Sequence, residues 1–216
     1  ARHTLQAKDV DPLCLRWEDT DGDGEPEWLG LYLTEGDPMQ LQAFVLDGET
    51  WYDVNATEGK EHGLGAYPAC QLEVDDINVD GRVEIAISGR AETTLDLLHV
   101  FVWDGSHYRE LASFQGDAGV SMADVDCTPG DEIIVRHNAN DGLAWETIHT
   151  WNDTHYAWTW DRYQWLHADF PHAYVTETPE RAVISFYLAL SDRDLPGAYD
   201  LLTSETKASN PYQNWA

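Results

Sequence analysis

The sequence predicts an all-β fold of three four-stranded antiparallel units of β-propeller-blade type, forming a partial or open propeller, followed by a short α-helical segment. Two repeated motifs and one change of periodicity predict it. An acidic loop occurs three times, as Asp19-Thr-Asp-Gly-Asp-Gly-Glu-Pro-Glu27, Asp76-Ile-Asn-Val-Asp-Gly-Arg-Val-Glu84 and Asp124-Val-Asp-Cys-Thr-Pro-Gly-Asp-Glu132. A hairpin motif also occurs three times, as Leu46-Asp-Gly-Glu-Thr-Trp51, Trp103-Asp-Gly-Ser-His-Tyr108 and Trp151-Asn-Asp-Thr-His-Tyr156. Both motifs advance by the same steps, 57 residues and then 48. That shared register identifies a true internal repeat, of a period that suits propeller blades. Beyond Asp169-Phe-Pro171 the alternating pattern stops and helical spacing begins.

Each repeat reads as four short strands. In the first, the later three are Trp28–Leu33, Leu41–Leu46 and Trp51–Val54. In the second, Leu72 and Val74 alternate with Glu73 and Asp75, the period of a strand. Val83, Ile85 and Ile87 alternate again after the acidic loop, and Leu98, Val100 and Val102 share a face in the third strand. Asp104-Gly105 then supplies a tight hairpin turn before Tyr108–Phe114. The third repeat matches with Ile133–His137, Trp145–Trp151 and Tyr156–Trp160. Four-stranded meanders in series are the units that propellers stack. Closed propellers have about four to eight blades, so three imply an open array or part of a longer propeller. Arg2–Gln6 reads as the remnant of an earlier blade's last strand.

The expected organisation is a repeat domain over residues 1–168, with blades at about 10–60, 68–116 and 118–166. A helical tail over 169–216 reads as a truncated second domain. In that tail Thr178 is the expected N-cap with Pro179 at N1. Ala182, Val183, Phe186, Tyr187 and Leu190 recur at helical spacing, and a second short helix is expected over about Leu195–Leu202.

Charge narrows the function. The chain of 216 residues carries 12 Lys+Arg against 40 Asp+Glu, a formal charge of -28. Such a surface repels phosphate backbones and anionic lipid, which excludes nucleic acid and membrane surfaces as favoured partners. The 10 Trp and 10 Tyr nonetheless supply a core. No run of about 18 apolar residues is present for a transmembrane helix, and no signal-peptide pattern opens the sequence.

The acidic loops are the candidate site. Oxygens at positions 1, 3 and 5 converge on one point, and a glycine at 6 permits the reversal. A main-chain carbonyl at 7 and a carboxylate at 9 complete a shell for a hard cation; Ca²⁺, with 6–8 oxygens in flexible geometry, fits better than Mg²⁺. The expected side-chain ligands are Asp19, Asp21, Asp23 and Glu27, then Asp76, Asn78, Asp80 and Glu84, then Asp124, Asp126, Thr128 and Glu132. The expected carbonyls belong to Glu25, Arg82 and Gly130. An EF-hand requires Glu at position 12 and a following helix; here position 12 is Gly30, Ile87 or Val135, between strands. The first loop is the strongest, and the third, with Thr128 and Pro129, the weakest.

The D-x-[DN]-x-D-G-x-x-E loop between strands resembles the FG-GAP/VCBS repeats of integrin-α-type β-propellers, over about residues 10–165. Glu at position 9 in place of Asp, the degenerate third loop and the small blade count depart from that pattern. The resemblance implies a calcium-stabilised, noncatalytic module for extracellular or cell-surface adhesion and recognition, with a protein or glycan as partner. The tail, Ala182-Val-Ile-Ser-Phe-Tyr-Leu-Ala-Leu with Ala198-Tyr-Asp-Leu-Leu, resembles the opening helices of ketosteroid-isomerase-like domains.

Other constellations are weaker. No HExxH occurs, and His107 and His155 occupy one repeat position, as structural strand residues. Ser121 lies on a strand rather than at a strand-to-helix nucleophile elbow, and Gly63-Leu-Gly65 lacks a third glycine. Paired carboxylates can hydrolyse glycosides, but the repeat accounts for these acids. Trp158, Trp160, Tyr163 and Trp165 offer sugar stacking, as in a carbohydrate-binding accessory module, or fill the wedge between blades. A structural spacer is the third reading. Cys14 and Cys70 begin equivalent strands and can bridge, leaving Cys127 over. Asn55 and Asn152 begin glycosylation sequons.

Overall fold

The computed structural model describes residues 5, 8–35, 39–55, 62–91, 93–138, 143–165, 174, 176 and 178–215, with backbone only at 67–70, 164–165 and 214–215. The expected earlier strand at Arg2–Gln6 lies outside these apart from Leu5. Twelve strands and one longer helix with three short ones follow in order among the described residues.

The chain is mostly β, in three four-stranded antiparallel sheets. Sheet 1 holds β1 (Cys14–Glu18), β2 (Glu27–Leu33), β3 (Leu41–Asp47) and β4 (Thr50–Val54). Sheet 2 holds β5 (Tyr67–Asp75), β6 (Glu84–Arg90), β7 (Asp96–Trp103) and β8 (Tyr108–Gly116). Sheet 3 holds β9 (Gly119–Ala123), β10 (Glu132–Asn138), β11 (Leu143–Trp151) and β12 (Tyr156–Trp165). In each sheet the order in space is the order in sequence, so every link is a hairpin. The acidic loop always joins the first strand to the second, and the Asp-Gly or Asn-Asp motif joins the third to the fourth. In that last turn Gly48, Gly105 and Asp153 share a left-handed backbone, with φ of 56°, 95° and 71°. His107 and His155 are corrected by this placement. They lie in the turn, outside the strands, where the Nδ1 of His107 is 3.1 Å from Asp104.

Two cores join the sheets in series. Leu29, Leu31, Ala43 and Val45 of sheet 1 pack with Ile85, Ile87, Phe101 and Tyr108 of sheet 2. Ala86, Leu98 and Val100 from the opposite face of sheet 2 pack with Ile133, Val135 and Tyr156 of sheet 3. Sheet 2 is therefore covered on both sides, which is why β6 and β7 are buried almost without a break rather than at alternate residues. The aromatics at the strand ends fill these cores. Tyr52 meets Trp103 edge to face at 5.0 Å, and Trp151 lies 5.3 Å from Tyr156. Trp158 instead is largely exposed. On the far side of sheet 1, Phe44 stacks on Trp51 at 4.2 Å. Gly30 makes room there, since a Cβ would meet the Phe44 ring at 2.5 Å.

The chain divides into two compact units, one of Ala1–His137 with Glu146–Asp161 and one of Asn138–Trp145 with Arg162–Ala216. The second holds the helices. In α1 (Pro179–Ser191) Thr178 caps the N-terminus, its hydroxyl accepting from the Arg181 amide at 3.3 Å, with Pro179 opening the helix. α2 runs over Leu195–Asp200, two residues shorter than expected, with Asp194 as its cap. Two further short helices, α3 (Ser204–Ser209) and α4 (Tyr212–Trp215), have no apolar periodicity to announce them. The Tyr199 hydroxyl ties α2 to this end by donating to the Asn210 carbonyl at 3.0 Å.

Candidate metal centre

The three acidic loops share one hydrogen-bonding scheme, written by short carboxylates that fold onto their own backbone. At position 1, the Asp19 carboxylate accepts from the Gly22 and Gly24 amides at 2.7 and 2.9 Å. Asp76 accepts from Gly81 at 3.0 Å and Asp124 from Cys127 at 2.7 Å. At position 3, Asp21, Asn78 and Asp126 accept from the amide two residues on, at 3.1, 2.9 and 2.8 Å. At position 5, Asp23 and Asp80 repeat the motif with Glu25 and Arg82 at 2.8 and 3.0 Å. Each bond turns the chain and draws side-chain oxygens inward.

Position 9 does something that the sequence did not disclose. Glu27, Glu84 and Glu132 each open the second strand of a sheet, and they are 3%, 0% and 1% exposed. In every case one carboxylate oxygen reaches back to accept the amide of position 2: Thr20 at 2.8 Å, Ile77 at 3.0 Å and Val125 at 2.9 Å. The glutamate closes the loop with Oε2, which leaves Oε1 for another partner. The constancy of Glu over Asp at this position was the available signal, since the extra methylene gives the reach.

The backbone carries a second unannounced regularity. Position 4 is left-handed in all three loops, at Gly22, Val79 and Cys127, with φ of 78°, 57° and 62°. Only the first has the residue that suits it. Position 6 is left-handed where glycine stands, at Gly24 and Gly81. In the third loop Pro129 occupies position 6 and the left-handed residue moves to Gly130 at position 7.

Among the described residues, two groups bring acidic ligand atoms within 4.8 Å of one another: Asp19, Asp21, Asp23 and Glu27, and Asp124, Asp126 and Glu132. Both are able to hold a metal ion. The second loop is not among them: its position 3 is Asn78, and Arg82 pairs with Asp80 at 2.6 Å. This holds the Asp80 carboxyl below its usual range. In the first loop burial raises the Asp21 and Glu27 carboxyls, and neighbouring acids raise them further. Burial raises Glu132 likewise and pushes Glu84 up to about 7, with Asp80 and Asp76 adding repulsion.

Two carboxylate oxygens of the second loop, Asp76 Oδ1 and Glu84 Oε1, are buried with no hydrogen-bond partner. A buried acceptor left unmade costs about 1–3 kcal/mol, more if charged. A dehydrated cation contacts oxygen at about 2.3–2.6 Å, closer than water, so such oxygens fit a metal even where water does not reach. The donor chemistry of all three loops, hard oxygens alone, suits a hard cation.

The loops also touch the neighbouring sheet. Thr20 Oγ1 donates to Glu27 at 2.7 Å and bonds the Tyr108 hydroxyl at 2.6 Å, across 88 residues of sequence. Elsewhere, Cys14 is disulfide-bonded, and Cys70, the expected partner of Cys14, has its side chain outside the described residues; Cys127 is a free exposed thiol. Ser121 accepts from Arg136 at 2.9 Å on β9, as expected of a strand residue.

Fold and loops together define a class: a β-repeat protein whose interstrand loops gather carboxylates able to hold metal ions. Comparison with protein-family models, with curated proteins and with solved structures finds no match for this chain.

Proposed function

We propose that the chain is a noncatalytic, calcium-binding recognition or adhesion module of the extracellular space or cell surface, built of propeller-type blades like those of the FG-GAP/VCBS repeats. The observation that carries the metal reading is the convergence of four carboxylates, Asp19, Asp21, Asp23 and Glu27, within 4.8 Å. The unpartnered buried oxygens of Asp76 and Glu84 extend it to the second loop. Ca²⁺ is preferred to Mg²⁺ because an all-oxygen, carboxylate-rich loop supplies many ligands without strict octahedral geometry. The carbonyls of Glu25, Arg82 and Gly130 would complete the three shells. The bound ion would supply charge neutralisation and cross-linking of each loop to its sheet.

The extracellular placement rests on two supports. Millimolar calcium fills loops of modest affinity, whereas cytosolic calcium does not. The disulfide at Cys14 is a bond that persists in oxidising compartments. Recognition rather than catalysis follows from acids that the repeat itself explains, and the partner is a protein or a glycan.

Thermal melting with calcium and with chelator tests this reading. Occupancy at about 100 times Kd stabilises by roughly 2.7 kcal/mol per site, so calcium should raise Tm by many degrees, and Asp21→Ala should lose more of that rise than Thr128→Ala. A Tm unchanged by calcium would refute the metal reading.

A further inference from the structure

We infer that the second and third loops bind their cations as one positively coupled pair, while the first loop binds independently; this rests on the calcium reading above. The two loops are joined through their own backbones. The Asp131 amide donates to the Ile77 carbonyl at 2.9 Å. Ile77 lies between ligands Asp76 and Asn78, and Asp131 between ligands Gly130 and Glu132. A shift of either loop therefore moves donors in both.

Gly130 explains the departure of the third loop from the repeat. A Cβ at this position would lie 3.3 Å from the Asn78 carbonyl oxygen and 3.5 Å from its Cα, and φ is +96°. The glycine has moved from position 6 to position 7 because that is where the loop meets Asn78. Its odd sequence is that of a loop fitted to its neighbour. A cleft of about 220 Å³ between them is lined by Asn78, Val79, Gly130, Asp131, Glu132 and Trp151. The buried Tyr156 hydroxyl lies in the field of acids from both loops, Glu84 and Asp80 of the second and Asp131 and Glu132 of the third. Among the described residues, no main-chain bond links the first loop to the second.

The independent pointer to a ligand is Glu84, fully buried with Oε1 unpartnered. A cation held there fixes Ile77 and Asn78, and with them the backbone on which Asp131 and Gly130 rest. The third loop then binds in a form already ordered. Direct repulsion between the two ions opposes this and is only partly screened beside buried carboxylates; the backbone bond acts at contact and outweighs it. Linkage is reciprocal, so disabling the third loop must weaken the second by the same factor.

A site-resolved calcium titration of the full chain, followed by NMR of the Gly24, Gly81 and Gly130 amides, tests the coupling. Asp126→Asn removes a ligand carboxylate from an exposed position of the third loop. It should move the Gly81 midpoint to about tenfold higher calcium, within the usual range of coupling factors, and leave Gly24 unmoved. Gly130→Ala, which keeps every ligand and disturbs the contact with Asn78, should shift Gly81 in the same direction. A Gly81 midpoint that stays within twofold of the parent in both variants overturns the coupling and leaves the calcium reading intact. Amides that do not move at millimolar calcium overturn both.

Discussion

The first and second loops share their residues at positions 1, 5, 6 and 9, and the residue at position 2 decides much of what each loop needs from outside. In the first, position 2 is Thr20, whose hydroxyl joins Glu27 to Tyr108 of the next sheet. In the second, position 2 is Ile77, and the tyrosine at the register of Tyr108 is Tyr156. Ile77 and Tyr156 pack in the same core, but isoleucine has nothing to offer a hydroxyl or a carboxylate. The Tyr156 hydroxyl and Glu84 Oε1 are both left buried and unpartnered. The first loop is satisfied by hydrogen bonds yet crowded with charge. The second has its own cation for Asp80 in Arg82, yet leaves a buried carboxylate short of a partner. A metal ion would relieve a different defect in each.

The largest expected effect comes from opening the first loop. Glu27→Ala should destabilise the protein by about 3 kcal/mol in chelator, because the Thr20 amide and hydroxyl lose their shared acceptor in a buried place. Denaturant melts would measure it, and a loss below about 1 kcal/mol would mean that the hydrogen-bond chain is not what holds this loop.

Glu84→Gln should act in the opposite sense when calcium is absent. Burial raises the Glu84 carboxyl to about 7 in the folded protein, against an ordinary 4.5, so folding favours its protonated form. The stability that this contributes is complete below pH 4.5 and is lost as pH rises through 7. In chelator the parent should therefore lose more stability between pH 5 and 8 than Glu84→Gln does, while calcium should stabilise the parent more than the variant. Parallel pH profiles for the two proteins would contradict the burial of an unpartnered carboxylate here.

Exchanging the position-2 residues sharpens the comparison further. Thr20→Val should cost about 1–2 kcal/mol in chelator, as a hydroxyl bridge is removed, whereas Ile77→Thr should come out near neutral, as a new bridge worth about 1 kcal/mol offsets the apolar burial lost. If Thr20→Val also proves neutral, the difference between the loops lies elsewhere. The smallest effect is a backbone one. Val79→Gly should stabilise by about 1 kcal/mol, since a β-branched residue at φ +57° carries the left-handed penalty that glycine avoids. Gly22→Val, at the same position of the first loop, should cost a similar amount.

Much of this was legible in the chain. The three-fold repeat placed every sheet, because alternation of apolar residues and turn glycines are local properties. The cap at Thr178 and the turns at Gly48 and Gly105 were equally readable. The helices Ser204–Ser209 and Tyr212–Trp215 were not, since six and four residues are too few to show a period. The turn placement of the histidines was missed because the hairpin motif gives its length but not where the strand resumes.

By itself, then, the sequence determined the repeat, the three sheets and the oxygen-bearing residues at positions 1, 3, 5 and 9 of each loop. These depend on spacing and chemistry within a few residues. Only the tertiary structure decided that position 9 closes the loop, that Thr20 meets Tyr108 across 88 residues, and that Gly130 rests on Asn78. The last two contacts arise when separate sheets pack, and packing of distant segments leaves no periodic trace in either of them. The charge of -28 was plain from the start; which of its carboxylates are buried and short of partners emerged only when the sheets came together.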